Sequence, residues 1–352
     1  MHKTFELDFP LKRTHLGMPM GNGDLGVLVW GQEKLHLTVS KIDFWDHRGG
    51  MWIAEGCTYD YIKANYDPED GEKIQNALSS FQRELMAESG FWCSTRVPSG
   101  RFELTFADGA VPERVVLEYA TGVVTVELST GAVLTLTVGE AAPILFVRDE
   151  TRAVERVDAR SVWDFEQTVE WLESRGISPD ERVDDARGCG WAQALPEDPS
   201  LACVAQRLPG GIAVSLARGE DNAAATASAF GAIATIDVPA FEQNASAWWG
   251  AYWEDMPEVE LPDETHSAFL KLAFYKYGAA NNPNSPLPSG LQGPWVEEYH
   301  KAQWSVDYHF NVNIQQIYTL GLPLGKFEFF GPLFAMLESE SFRAIMRSNA
   351  RS

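Results

Sequence analysis

The spacing of apolar residues changes character near residue 240. Before that point, short runs rich in Val, Leu, Thr and aromatic residues are separated by Gly, Asp and Ala-Thr-Gly breaks, which is typical of antiparallel strands. Strands are predicted at 24–31, 34–45, 101–106, 114–130, 132–139, 144–149, 203–208, 211–218 and 232–239. Many short strands with turn residues between them predict a β-sandwich domain over residues 1–238. Two helical patterns, at 71–89 and 163–175, interrupt it.

The pattern after residue 240 has a helical period. Residues 241–256 read as a helix within a linker that we place at 239–262. Asp263 is a plausible N-cap for a helix over 261–280, whose apolar residues recur at intervals of three and four. A Pro/Gly-rich loop follows at 281–295, and the helical pattern resumes near 325, with Gly331-Pro332 expected to divide it.

The last residues continue an amphipathic pattern. We therefore expect 263–352 to be the first helices of a larger helical domain, and the sequence to be truncated at its C-terminus.

Between the loop and the last helices, the chain alternates strictly between apolar and polar residues. The apolar set is Trp304, Val306, Tyr308, Phe310, Val312 and Ile314, and the polar set is Ser305, Asp307, His309, Asn311, Asn313 and Gln315. A period of two predicts an extended segment with one polar face. An ordinary half-exposed strand more often carries Lys, Glu and Thr on that face. The short carboxylate, imidazole and carboxamide groups found here suit a face that binds hydroxyl groups or orients a water molecule.

Composition limits the classes of function. The chain has 50 acidic and 28 basic residues and a formal charge of −22, which argues against nucleic acid or an anionic membrane as partner. Its 12 tryptophans are compatible with sugar stacking, although packing in a large core is the better explanation for any single one of them. No membrane span and no signal peptide are visible, so the chain reads as cytoplasmic as given.

Metal and cofactor motifs are weak or missing from the sequence. The four cysteines, Cys57, Cys93, Cys189 and Cys203, form no CxxC pair and no clear disulfide framework. The glycines of "GNGDLG" (21–26) lead into a strand, whereas a dinucleotide-binding loop opens a helix. We expect no cofactor and no metal. His47 and Asp46, in "WDHRGG", lie either near a binding site or, more simply, on a surface loop.

Two blocks of sequence resemble a known family. "LPSGLQGPW" (287–295), followed by "WSVDYHFNVNIQQ" (304–316), resembles the start of the catalytic domain in glycoside hydrolase family 95, which contains inverting α-L-fucosidases and their relatives. "PMGNGDLGVLVWG" (19–31) and "LHLTVSKIDFW" (35–45) are similar to its N-terminal sandwich, and 248–263 to its linker.

The chain also departs from the family pattern. Asp24 stands where Arg is common, and "SKIDFW" replaces the usual LNEDTLW. These departures indicate a divergent branch, in which fucose itself is an open question.

The resemblance implies a β-sandwich, a helical linker and an (α/α)6 barrel whose funnel holds the sugar; here only the first helices of an incomplete barrel are expected. The family's water-holding asparagines match Asn311 and Asn313. The general acid Glu and the partner Asp are expected beyond Ser352, so this chain alone is predicted to be inactive. The candidate substrate-binding residues are His309, Trp295, Trp304, Gln292 and Asp307.

The other carboxylates near these motifs, Glu254, Asp255, Glu297 and Glu298, are expected to be surface or structural groups. The resulting prediction is a fragment of an inverting exo-glycoside hydrolase that acts on a neutral oligosaccharide or glycoconjugate. The alternative is a non-catalytic carbohydrate-binding or structural module of the same architecture. A phosphorylase would need phosphate-binding residues, which this region does not show. Family members are often secreted or periplasmic.

Overall fold

The computed structural model describes residues 3–49, 58–79, 93–259 and 261–349. Its first half is built of strands, in agreement with the sequence. The strands are β1 Thr4–Asp8, β2 Met18–Gly21, β3 Leu25–Gly31, β4 Leu35–Lys41, β5 Trp45–Asp46, β6 Thr95–Arg96, β7 Gly100–Phe106, β8 Pro112–Glu118, β9 Val124–Leu128, β10 Val133–Val138, β11 Ile144–Arg148, β12 Val154–Ser161, β13 Glu181–Asp184, β14 Cys189–Gln193, β15 Ser200–Leu208 and β16 Gly211–Gly219.

Two large antiparallel sheets contain most of these strands. Sheet A has nine strands in the order β1-β8-β9-β10-β11-β16-β15-β14-β13, and sheet B has five in the order β12-β7-β4-β3-β2. Alternate residues of both sheets, such as Val27 and Val29 in sheet B and Val124 and Val126 in sheet A, are fully buried in one shared core. Both sheets are antiparallel and together sandwich-like, in agreement with the predicted strands, although residues 1–238 also contain helices.

One predicted strand, 232–239, is wrong. Residues Asn222–Ala234 form helix α4, and helix α5 begins at Val238. The apolar residues Phe230 and Ile233 belong to the helical face that packs on the outer side of sheet A. An N-cap at Asp221 and an Ala-rich sequence favour the helix, and Asp237 caps α5 in the same way.

The remaining helices agree well with the sequence patterns. They are α1 Tyr59–Asn65, α2 71–79, α3 Glu166–Ser174, α5 Val238–Glu254, α6 Glu264–Ala280, α7 Asn313–Thr319, α8 Gly331–Glu338 and α9 Glu340–Asn349. The Asp263 carboxylate accepts a hydrogen bond from the His266 amide and caps α6, as predicted. The helix predicted at 71–89 is seen to residue 79, and the positions after it lie outside the described residues.

Gly331 and Pro332 start helix α8, after a 3₁₀ turn at Phe327–Phe330, so the expected division of the last helical segment is present. Several large apolar side chains of α6–α9 and their connections face solvent. They are Phe269, Leu322, Phe327, Phe334, Ile345 and Met346.

The loop between α6 and α7 is bonded to sheet B. Ser40 Oγ donates to Pro294 O at 2.8 Å, and the Arg96 guanidinium donates to the carbonyl oxygens of Gly293 and Pro294 at 2.5 and 2.7 Å. A methyl group on Gly26 would come within 2.4 Å of Pro294 O, so the backbones of β3 and the α6–α7 loop are in direct contact there. The two blocks that carry the family resemblance therefore meet in space.

Within the described residues, no single helix is long and apolar enough to cross a membrane. The pair α4 and α5, bent by 90° at their junction, meets that criterion together by length and composition only.

Candidate functional site

The segment that contains the predicted site is not extended, so the prediction of an extended segment over Trp304–Gln315 is wrong. Residues Gln303–Val306 form a 3₁₀ turn in which Trp304, Ser305 and Val306 have φ of 53°, 57° and 56°. Val312 has φ 77°, and α7 starts at the next residue. Left-handed conformations cost a non-glycine residue about 1–2 kcal/mol each. These turns break the common polar face, and they leave Trp304, Phe310 and Val312 exposed.

Packing against the preceding loop fixes this unusual backbone. The Leu291 amide donates to Asp307 O at 3.3 Å, and the Tyr308 hydroxyl donates to Pro288 O at 3.0 Å. A methyl group on Gly290 would lie 2.4 Å from Val306 O. The LPSGLQG loop and the WSVDYHFNVN segment therefore support each other, and the glycine is needed for their close approach.

Polar groups gather at this turn. Asp307 Oδ1 is hydrogen-bonded to His309 Nδ1, and the Trp304 ring lies edge-on to the imidazole, with centroids 5.3 Å apart. A carboxylate beside one ring nitrogen fixes the orientation of the imidazole. The Ile314 amide donates to His309 O at 3.0 Å and closes the turn that leads into α7.

Asn311 and Asn313 belong to the same turn. Asn311 is exposed, and Asn313 is the first residue of α7, with its amide 3.1 Å from Asn311 O. Neither side-chain carboxamide has a hydrogen-bond partner within the described residues. Both carboxamides are therefore free to bind a hydroxyl group or a water molecule.

The loop that carries "WDHRGG" does approach this segment. The Trp45 ring is stacked on the Tyr308 ring at a centroid distance of 6.1 Å and on the His47 ring at 6.2 Å. His47 Nδ1 lies 2.6 Å from Asp198 Oδ1. The sequence offered His47 as a candidate; the Asp198 partner lies far away in sequence and had no recognisable signal.

Asp46 has a structural role. It is fully buried, and its carboxylate accepts hydrogen bonds from Arg48 Nε at 2.8 Å and Arg175 Nε at 2.7 Å. Burial alone would raise the pKa of Asp46, but these hydrogen bonds hold the pKa below its ordinary value.

Trp295 and Gln292 line a different feature. They lie in a cleft of about 680 Å³ between the β1 and β3 side of the sandwich and helix α6, which we call the Trp295 cleft. Its polar lining residues are His15, Lys276, Gln292, Trp295, Glu297, His300 and Gln303. Trp304, Asp307, His309, Asn311 and Asn313 are not among the residues that line it. The structure thus separates the predicted site residues into two groups.

The nearby carboxylates differ in their roles. Glu298 is fully buried, and it accepts hydrogen bonds from Arg101 Nη1 at 2.9 Å and from Thr38 Oγ1 at 2.9 Å. Glu254 and Asp255 are exposed at the end of α5. Within the described residues, no group of three or more His, Cys, Asp or Glu side chains is placed to hold a metal ion. Cys93, Cys189 and Cys203 are free thiols, and Cys57 lies outside the described residues.

Comparison with known proteins finds a glycoside hydrolase family match in the C-terminal part of the chain. Residues 261–351 match the glycosyl hydrolase family 95 catalytic domain, which supports the resemblance of the chain to a divergent member of that family. The match covers α6–α9 and every predicted site residue, about a quarter of the chain. A search of curated proteins finds no match.

Proposed function

We propose that this chain is part of an inverting exo-glycoside hydrolase that removes a terminal sugar from a neutral glycan, with α-L-fucosidase-like specificity. The observation that carries this proposal is the pair of free carboxamides on Asn311 and Asn313, inside the segment that matches the family 95 catalytic domain. The net charge of −22 favours a neutral substrate over an anionic one.

The proposed chemistry assigns the carboxamides to the attacking water. In an inverting hydrolysis, one carboxylic acid protonates the leaving oxygen while a base activates water on the opposite face of the sugar. A carboxamide is a poor base, but its carbonyl oxygen orients the water, and a carboxylate bonded to its NH2 group strengthens that interaction. The Asp307–His309 pair, at the same turn, is proposed to bind a sugar hydroxyl. Trp304, whose side chain is 73% exposed, is proposed as a stacking platform.

The fold proposal is that α6–α9 are the first helices of an (α/α)6 barrel that follows a sandwich domain (1–238) and a linker (239–262). The exposed apolar side chains of these helices support it, because monomeric soluble proteins rarely leave such groups clustered in water. In this arrangement, further helices would cover those side chains and supply the general acid Glu and the partner Asp.

Hydrolysis by the complete gene product tests this function. We expect cleavage of aryl α-L-fucoside or α-L-galactoside, and proton NMR of the first-formed sugar should show the inverted anomer. Asn311→Ala and Asn313→Ala should each lower kcat by roughly 100-fold or more, since oriented proton transfer contributes about 10²–10⁴ to the rate. Asn284→Ala, which truncates another exposed carboxamide, is the matched control.

Two results would overturn the proposal. A product of retained configuration would exclude inversion, and full activity in both Asn variants would remove the water-holding role. Saccharide binding without any hydrolysis would favour the alternative, a non-catalytic carbohydrate-binding module.

A further inference from the structure

The Trp295 cleft has the size and the lining of a ligand-binding site. Its volume of about 680 Å³ lies within the range of small-molecule pockets, roughly 300–1,000 Å³. Its floor is apolar, and its rim carries planar polar side chains. The apolar lining consists of Phe5, Leu7, Leu16, Pro19, Leu28, Leu272, Val296 and Ala302.

One wall of the cleft is held rigidly. Glu297 Oε1 lies 2.9 Å from His15 Nδ1, and Glu297 Oε2 lies 2.6 Å from His300 Nε2. The His15 residue belongs to the sandwich and Glu297 to the α6–α7 loop, so the bonded trio joins the two parts of the chain. The Trp295 indole is anchored as well, because its Nε1 donates to Met20 O at 2.8 Å. An anchored aromatic ring loses little entropy when a ligand stacks on it.

The lining also contains two carboxamides that no protein group engages within the described residues. The carboxamides of Gln292 and Gln303 have no hydrogen-bond partner among the residues that the structure describes. The Lys276 ammonium lies 5.6 Å from the centroid of the Trp295 ring. These are donors and acceptors available to a ligand.

The chemistry of this lining favours a neutral saccharide. Two free carboxamides match vicinal hydroxyl groups, and an aromatic face matches the C–H face of a sugar ring. An anionic ligand would meet the Glu297 carboxylate and a protein of charge −22. A purely apolar ligand would leave both carboxamides unpaired in a desolvated site, which is unfavourable.

We propose that the Trp295 cleft is a second saccharide-binding site, which holds a short neutral oligosaccharide between the sandwich and helix α6, apart from the Asn311/Asn313 turn. This proposal rests on the carbohydrate specificity of the proposed function. The proposal gives Trp295 and Gln292 a role in glycan binding at this second site, whereas the sequence analysis placed them among the substrate-binding residues of the catalytic site.

Saturation-transfer NMR on the full chain tests the proposal. The neutral probes are cellotriose, xylotriose and galactotriose, and the acidic probe is trigalacturonate. We expect at least one neutral trisaccharide to bind and trigalacturonate to bind at least tenfold more weakly. Trp295→Ala, Gln292→Ala and Gln303→Ala should each weaken binding about tenfold, and Trp295→Phe should restore part of it. Tyr59→Ala, which removes an exposed aromatic ring on α1, is the matched control.

The glutamine variants keep the test valid if Trp295→Ala fails to fold, because both glutamines lack structural hydrogen bonds. The proposal is overturned if no neutral trisaccharide binds, if trigalacturonate binds best, or if the glutamine variants bind like the parent. Binding that Asn311→Ala and Asn313→Ala abolish, and the glutamine variants leave intact, would refute the second site while leaving the proposed hydrolase function standing.

Discussion

Lys41 Nζ lies 2.6 Å from Asp24 Oδ1, and both side chains are buried beneath the loop that connects α6 and α7. Each of these residues is a departure from the family pattern. Asp24 stands where Arg is common in the family pattern, and Lys41 lies in "SKIDFW", which replaces the usual LNEDTLW. The structure shows that the two stretches that depart from the pattern meet in one buried ion pair.

Variants that reverse the charges of Asp24 and Lys41 test whether the two side chains stabilise each other. Asp24→Arg brings two buried cations together, and Lys41→Glu brings together two carboxylates, so each variant should lower the free energy of unfolding by about 3–5 kcal/mol. The double variant restores opposite charges and should recover at least half of the summed loss. Urea unfolding of the four proteins gives the coupling energy.

If the losses in free energy of unfolding simply add in the double variant, the side chains at positions 24 and 41 do not interact, which would contradict the interpretation. Asp43 limits the recovery, because its Oδ1 lies 3.0 Å from Lys41 Nζ and would repel a glutamate at that position. Adding Asp43→Thr, which removes this carboxylate, should therefore raise the stability of the double variant further.

Glu298 is predicted to anchor the α6–α7 loop to the sandwich. Glu298→Ala leaves Thr14, Thr38 and Arg101 without their buried acceptor, and we expect the free energy of unfolding to fall by about 3–5 kcal/mol. Glu254→Ala, at an exposed position, should change it by less than about 0.5 kcal/mol. Thermal and urea unfolding measure both variants. Equal stability of the two would show that the buried carboxylate does not hold the loop.

Most of the strands and helices were predictable from the sequence because local sequence patterns determine them. The Val- and Leu-rich run at 24–31 identifies a strand, and Asp263 marks the start of α6, without any knowledge of the rest of the chain. Strand 232–239 failed because an apolar face of a helix and a short strand look alike over a few residues. The edge strand β13 was missed for the opposite reason, because it is largely exposed and polar, and its neighbour β14 was missed with it.

The sequence named the residues of the candidate site, but its prediction that they share an extended segment was wrong. Asp307 and His309 are adjacent as expected, but the left-handed turn at Trp304–Val306 removes the continuous polar face. No propensity rule predicts φ near 56° at a valine; it follows from the close approach of Gly290 to Val306, a contact between segments. The Trp295 cleft also depends on distant segments, since His15 and Glu297 are 282 positions apart.

Gly290 is therefore predicted to control the turn. Gly290→Ala would place a methyl group 2.4 Å from Val306 O, so the backbone at Val306–Tyr308 must shift, and the protein should lose about 1–3 kcal/mol of stability. Gly331→Ala is the matched control: nothing lies within 4 Å of the added carbon, and it starts helix α8. That variant should be neutral or gain up to about 1 kcal/mol. Urea unfolding of both variants separates the two, and unchanged stability in Gly290→Ala would contradict the packing argument.

His36 should make the sandwich less stable in acid. Burial, and secondly the nearby Arg101 guanidinium, lower the pKa of His36 from 6.5 to about 4, and its ring lies edge-on to Trp30 at a centroid distance of 4.4 Å. Between these two pH values the unfolded chain binds a proton at this imidazole and the folded chain does not. The free energy of unfolding should therefore fall as pH drops from 6.5 to 4, by up to about 3 kcal/mol, and should not depend on His36 above that window.

His36→Gln, which cannot titrate, should lose this part of the slope, whereas His266→Gln, at an imidazole that is 77% exposed, should keep it. Urea unfolding at closely spaced pH values measures the slope, and the same acid dependence in His36→Gln and the parent would show that this histidine is not the group responsible.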